Sequence, residues 1–254
     1  MTLHRQFLAI AGAILLTLVL ALPPSIHKAR AEVDHGLWND LLQKHVQNGR
    51  VNYDGMQQEQ SRLDQYLDQL AQINPDMLER SDALAYYINL YNAWTIKLIL
   101  SKYPDVSSIK DLGTLIKTPW KKRLIPLNGE MVTLDHIEHD IIRPGFKDPR
   151  IHFAVNCAAV SCPPLQTTAF TESRLNEQLD HATTEFINDP QSTCFKEGTL
   201  YLSRIFKWFG DDFNDDPAGF VKDYANGDFK KALAAHKGNI TIEYLDYNWK
   251  LNRQ

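Results

Sequence analysis

Residues 81–102 read SDALAYYINLYNAWTIKLILSK. The run is apolar nearly all the way round a 3.6-residue repeat, which predicts a helix buried on every side rather than one lying on a surface. Ser81 or Asp82 is placed to cap its start, and Tyr103-Pro104 ends it. Upstream, 37–46 and 61–73 have helical spacing. Downstream, 103–130 is irregular, because Pro104, Gly113, Pro119, Pro126 and Gly129 break any period. Thr133 caps a shorter helix to Arg143, stopped by Pro144-Gly145. In 151–156, Ile151, Phe153 and Val155 alternate with other residues and predict a strand. Residues 171–188 form an amphipathic helix, 193–202 a hairpin turning at Glu197-Gly198, 203–210 a short helix and 240–251 a last strand. Helices dominate the first half and strands come later. The predicted fold is therefore α+β, a helix-rich first half packed on a small, mainly antiparallel sheet. With no repeat, low-complexity tract or Gly/Ser linker, residues 32–254 are expected to form a single globular domain.

The first 31 residues have the pattern of a signal peptide. His4 and Arg5 precede an apolar run, Phe7 to Leu22, of 16 residues, near the length of a signal core and short of the ~18–20 residues that span a bilayer. Pro23-Pro24 end the run, and Ala29-Arg30-Ala31 offers small residues for cleavage before Glu32. The expected location is periplasmic or secreted, with membrane contact only if this segment stays uncleaved. Its removal takes away Arg5, Lys28 and Arg30 and no acid, which moves the formal charge from −4 to −7. An acidic chain whose one basic cluster is Lys121-Lys122-Arg123 excludes nucleic acid as an expected partner. In an oxidising compartment, three cysteines imply one disulfide and one free thiol, with the pairing among Cys157, Cys162 and Cys194 left open.

The candidate site residues come from three stretches. Asn89 and Asn92 interrupt the buried helix at i,i+3 and share a face; each either ties the helix to a neighbouring loop or orients a ligand or catalytic group. In TLDHIEHDIIR, Leu134, Ile137, Ile141 and Ile142 mark the buried side, and Glu138 falls among them. A carboxylate there pairs with a buried Arg, for which Arg150 is the candidate, or serves as a general acid or base. His136, His139, Asp140 and Arg143 share the other face. His136 and His139 have no third ligand in view, so no metal is expected. The richest stretch is 150–165, RIHFAVNCAAVSCPPL, which places Arg150, His152, Asn156 and Cys157 together. Cys157 is the candidate nucleophile, His139 or His152 its base, Asn92 the orienter and Arg150 the holder of a substrate carboxylate. The opposing reading makes Cys157 a buried apolar group or half a disulfide. Its spacing from Cys162 is wider than C-x-x-C, which argues against thioredoxin-type chemistry. No G-x-S-x-G, Walker loop or G-x-G-x-x-G is present, so no cofactor is expected.

Four segments resemble the domain-of-unknown-function family 547. They are YINLYN at 87–92, 134–143 around Ile137-Glu138-His139, 150–164, and YLDYNWKLN at 244–252. In the last, Asn248 stands where the family pattern has an Asp before the Trp. The resemblance implies that Asn89, Asn92, Glu138, His139, Arg150, His152, Asn156 and Cys157 form a shared polar set, and it assigns them no reaction. A weaker likeness is to papain-type and transglutaminase-type folds, in which a buried helix starts with the nucleophilic Cys; here that helix carries Asn92. Together these readings lead to an exported Cys-dependent hydrolase or acyltransferase acting on an amide or ester. The alternative is a non-catalytic binding or envelope-interaction domain with a buried polar network.

Overall fold

The central element is helix α4, Arg80–Leu100, whose residues from Asp82 to Ala93 are all buried. The structure, a computed structural model, describes residues 33–114 and 116–254, so the signal-peptide reading of residues 1–31 lies outside the described residues. The helix starts before the expected cap. Glu79 is its N-cap and makes no side-chain cap, while Asp82 falls in the first turn, where a carboxylate meets the positive end of the helix dipole. Helices α1 (Gly36–His45), α2 (Tyr53–Gln58) and α3 (Gln60–Ala71) precede it. Asn52 caps α2 by accepting the Gly55 N–H. Helix α3 buries Leu63, Tyr66, Leu67 and Leu70, the i, i+3, i+4, i+7 stripe of an amphipathic helix.

Between α1 and α2 runs a two-residue ladder, β1 (Val46–Gln47) with β2 (Arg50–Val51). Asn48 and Gly49 turn it with φ of 49° and 70°, the primed geometry that suits the twist of paired strands. A Cβ on Gly49 would lie 2.6 Å from the Pro164 Cβ, so only glycine lets this turn approach the 156–165 loop.

The stretch expected to be irregular holds an antiparallel hairpin, β3 (Ile125–Leu127) and β4 (Glu130–Val132). Thr133 then accepts the His136 N–H and starts α5, Leu134–His136. A π-helical segment, Ile137–Ile142, follows, and α6, Arg143–Phe146, continues past the expected stop at Pro144. Pro144 falls where the π-helical turn passes into α6, directly after the Arg143 N–H has bonded the Glu138 carbonyl. Lys147, at φ 53°, ends the helix instead.

The strand expected at 151–156 is absent. Pro149–Phe153 is a 3-10 helix, started by Asp148, whose side chain accepts the Arg150 N–H, with Pro149 in its first turn. Ile151 to Asn156 are buried without exception. Alternation of apolar and polar residues discriminates strand from helix only when one face is wet. With that strand gone, the likeness to papain-type and transglutaminase-type folds has no support.

The second half is built on α7, Leu175–Asn188. It leads into the hairpin β5 (Thr193–Lys196) and β6 (Thr199–Leu202), which turns at Glu197 and Gly198 as expected. Residues 203–210 yield only α8, Ile205–Trp208, and a 3-10 turn follows at Gly210–Phe213. Helices α9 (Pro217–Tyr224) and α10 (Gly227–Ala235) precede β7, Thr241–Tyr244, which joins β6 in parallel. The expected last strand therefore shrinks to β7, and the residues after it make isolated bridges such as Ala159 with Leu251. The α+β class holds. Among the described residues, however, the strands form two small antiparallel ladders and one mixed three-stranded sheet rather than a single sheet. The apolar interior has two clusters, one around α4 and one of stacked phenylalanines that includes Phe153, Phe186, Phe206 and Phe213.

Candidate functional site

A cavity of about 280 Å³ opens where the π-helical segment, the 152–163 loop, α8 and the 247–249 segment meet. Glu138, His139, His152 and Cys157 all line it. Its walls are aromatic. Trp208 lies 4.8 Å from Tyr247, Tyr247 4.6 Å from Trp249, and Trp249 5.9 Å from Trp120, centroid to centroid. The wide turn of the π segment puts Ile137, Glu138 and Ile142 in the interior together, and such segments recur at functional sites.

Glu138 is 8 % exposed. Two buried phenols sense its charge. Burial first, and the Glu138 carboxylate second, push both Tyr91 and Tyr247 above their ordinary range, so both stay protonated and available as donors. Glu138 does not pair with Arg150. The Arg150 guanidinium bonds Asp148, Asp180 and Asn176, fastening the 3-10 helix to α7 and away from the cavity.

His152 is 2 % exposed, stacks on Phe209 at 4.1 Å, and its Nε2 lies 2.6 Å from Asp212 Oδ2. Asp212 also receives Arg143 through Nε at 2.6 Å and Nη2 at 3.1 Å. Hydrogen bonding from His152, opposed by burial and reinforced by Arg143, holds the Asp212 carboxyl well below the usual range. An ionised carboxylate only accepts, so His152 Nε2 donates to it. His139 Nδ1 accepts from Arg143 Nη1 at 3.2 Å. His136 turns away to Asp140 at 2.8 Å, and among the described residues no cluster has the makings of a metal site.

Cys157 is bonded to Cys162, and Cys194 is the free cysteine. The Tyr247 hydroxyl lies 3.2 Å from Cys157 Sγ and 3.3 Å from Cys162 Sγ. The three asparagines of the predicted set do not reach a histidine. Asn89 donates to the Phe170 carbonyl and accepts the Phe170 N–H. Asn92 donates to the Ala154 carbonyl and accepts the Asn156 N–H, so it positions the loop backbone and orients no base. Asn156 donates to the Pro163 carbonyl and accepts the Ala158 N–H.

The sequence reading missed Asp212, Tyr91, Tyr247 and the indoles of Trp120, Trp208 and Trp249. One signal was present. Trp208-Phe209 followed by Asp211-Asp212, and Asp246-Tyr247 before Trp249, set large aromatics beside acids.

Residues 75–187 match the model of the family described as Protein of unknown function, DUF547. The match covers α4, the π-helical segment and the Cys157–Cys162 loop, three of the four segments that carried the resemblance; the fourth, 244–252, lies outside it. The aromatic wall at 208–209 and 247–249 lies beyond it. No curated protein and no solved structure matches the chain.

Proposed function

We propose that this protein is an exported binding domain whose aromatic cavity takes a small organic cation with an apolar body. The observation that carries the reading is a buried carboxylate, Glu138, in a cavity walled by Tyr91, Trp120, Tyr247 and Trp249. An ion is costly to bury alone, whereas a cation held against a carboxylate and aromatic faces gains charge pairing and cation–π attraction of roughly 0.5–2 kcal/mol per ring. Lys110 already rides over the Trp249 ring at 3.8 Å, so this wall accepts a cation on its outer side. Export is supported by the N-terminal apolar run and fits a disulfide-bonded pair. Mass analysis of protein recovered from the periplasm or medium is expected to find Glu32 at the N-terminus.

The test of the binding reading is a titration with benzyltrimethylammonium, followed by tryptophan fluorescence. Saturable quenching is expected, weakened about tenfold in Glu138→Gln. Absence of quenching at millimolar ligand, or equal affinity in the variant, overturns the reading.

One observation favours a second reading, a Cys-dependent hydrolase or acyltransferase acting on an amide or ester. Cys157, His139 and His152 line one cavity, and Asp212 holds the His152 ring, the nucleophile–base–orienter logic of thiol catalysis. This reading requires the reduced protein. Cys157→Ala is then expected to abolish turnover of an activated ester while leaving the fold intact; full activity in that variant sinks it.

A further inference from the structure

We propose that the Cys157–Cys162 disulfide is a thiol–disulfide exchange site, in which an external thiolate attacks Cys157 and Cys162 departs as the thiolate. The proposal is independent of what the cavity binds.

The loop that carries the two sulfurs is held without them. Asn92 accepts the Asn156 N–H, Asn156 accepts the Ala158 N–H and donates to the Pro163 carbonyl, and the Val160 N–H bonds the Lys250 carbonyl. The Asn252 N–H bonds the Ala158 carbonyl, which steadies a non-glycine residue at φ 58° directly beside Cys157. A crosslink between residues five apart also constrains the unfolded chain less than one closing a long loop. Both facts leave the disulfide little structural work.

The two sulfurs differ in access and in hydrogen bonding. Both cysteines line the cavity, Cys157 half-buried and Cys162 only 7 % exposed. Attack in thiol–disulfide exchange goes to the reachable sulfur, and the better-stabilised thiolate leaves. Cys162 Sγ receives the Cys157 N–H at 2.9 Å and lies 3.3 Å from the Tyr247 hydroxyl. A disulfide has no S–H, so the tyrosine is the donor. Burial and the nearby Glu138 charge keep it protonated. These donors stabilise negative charge on Cys162 as it leaves.

The step balances. The incoming thiolate (R–S⁻) forms an R–S–Sγ bond to Cys157 as the Cys157–Cys162 bond breaks, and the electron pair stays on Cys162. A second thiolate then attacks the mixed disulfide on its external sulfur, releasing oxidised R–S–S–R and the Cys157 thiolate, which takes a proton from solvent. The wider spacing means that this exchange rests on the loop donors and not on a C-x-x-C helix start. Its product is a Cys157 thiol in the same cavity as His152.

The experiment incubates the oxidised full-length protein with millimolar reduced glutathione under native conditions, quenches with acid, alkylates and maps the peptides. The expected product carries glutathione on Cys157 with Cys162 alkylated, Cys194 being alkylated throughout as a marker. The fully reduced protein is expected to keep its circular-dichroism spectrum. Tyr247→Phe is expected to slow the exchange about tenfold, and Met131→Ala, on the exposed strand β4, to leave its rate unchanged. Should Tyr247→Phe fail to fold, the single-thiol variants decide. Cys162→Ser is expected to take up oxidised glutathione at least tenfold faster than Cys157→Ser. A disulfide that opens only in denaturant, glutathione found on Cys162, or equal rates in either pair of variants overturns the proposal.

Discussion

Two sets of buried polar groups flank the 154–163 loop, and they are used in opposite ways. On the α4 side, Asn89 and Asn92 spend donor and acceptor alike on loop backbone. On the cavity side, Glu138, His152 and Cys157 line a space large enough for a small ligand. Asn89, Asn92, Glu138 and His152 are all buried. The difference shows that burial alone does not mark a functional polar residue. What marks it is a place on the wall of an open cavity, with its bonds made to other side chains rather than to backbone.

Asn92→Ala strands the Ala154 carbonyl and the Asn156 N–H together, and each stranded group costs roughly 1–3 kcal/mol. A loss of about 3 kcal/mol in chemical denaturation is expected from those two groups. A loss near zero would place Asn92 with the cavity residues instead.

His35 sharpens the comparison, since it is buried and only half satisfied. Its Nδ1 bonds the Tyr66 hydroxyl at 2.7 Å, and its Nε2 has no partner among the described residues. Burial, offset in part by Asp34, lowers it from 6.5 to about 4. The folded state therefore binds this proton more weakly than the unfolded state. Stability falls as pH drops below about 6.5, and the loss is complete below about 4, reaching up to about 3 kcal/mol. Denaturation across that window is expected to show the slope in the parent and to lose it in His35→Gln; an unchanged slope refutes the assignment.

Asp212 sits between the two classes, because it is a structural ion pair that also holds a cavity histidine. Hydrogen bonds to charged groups contribute roughly 1.5–3 kcal/mol, so Asp212→Asn is expected to cost about 2 kcal/mol. Its carboxyl is held low, so its contribution is present above the unfolded value of about 3.9 and is lost as pH falls through the folded one. The variant should show a shallower acid limb in melts taken below about pH 4.

The smallest effect belongs to the cavity. Glu138→Gln is expected to change stability by no more than about 1 kcal/mol, because the isosteric amide keeps an oxygen that accepts from Tyr91. A loss as large as that for Asn92→Ala would make Glu138 a structural residue.

Much of the local structure was legible in the chain. The all-round apolar character of 81–102 meant a central helix, Glu197-Gly198 meant a tight hairpin, and Glu138 among isoleucines meant a buried acid. The errors have one origin. Periodicity reads a contrast between a wet face and a dry one, and residues 151–156 have no wet face, so a 3-10 turn with alternating apolar residues passed for a strand. The same loss of contrast hid the difference between Asn92 and Glu138. Arg150 was legible as a paired residue but not as the partner of Asp148 and Asp180.

The sequence by itself determined the α+β class, the position of the buried helix and the family-like segment with its polar set, because these depend on neighbours along the chain and on local propensity. Only the tertiary structure decided which cysteines pair, that Asp212 holds His152 from 60 residues away, and that Tyr247 reaches both sulfurs from 85 and 90 residues away. Such contacts form by packing elements whose separation in sequence carries no periodic signal, and a cavity is the space that packing leaves.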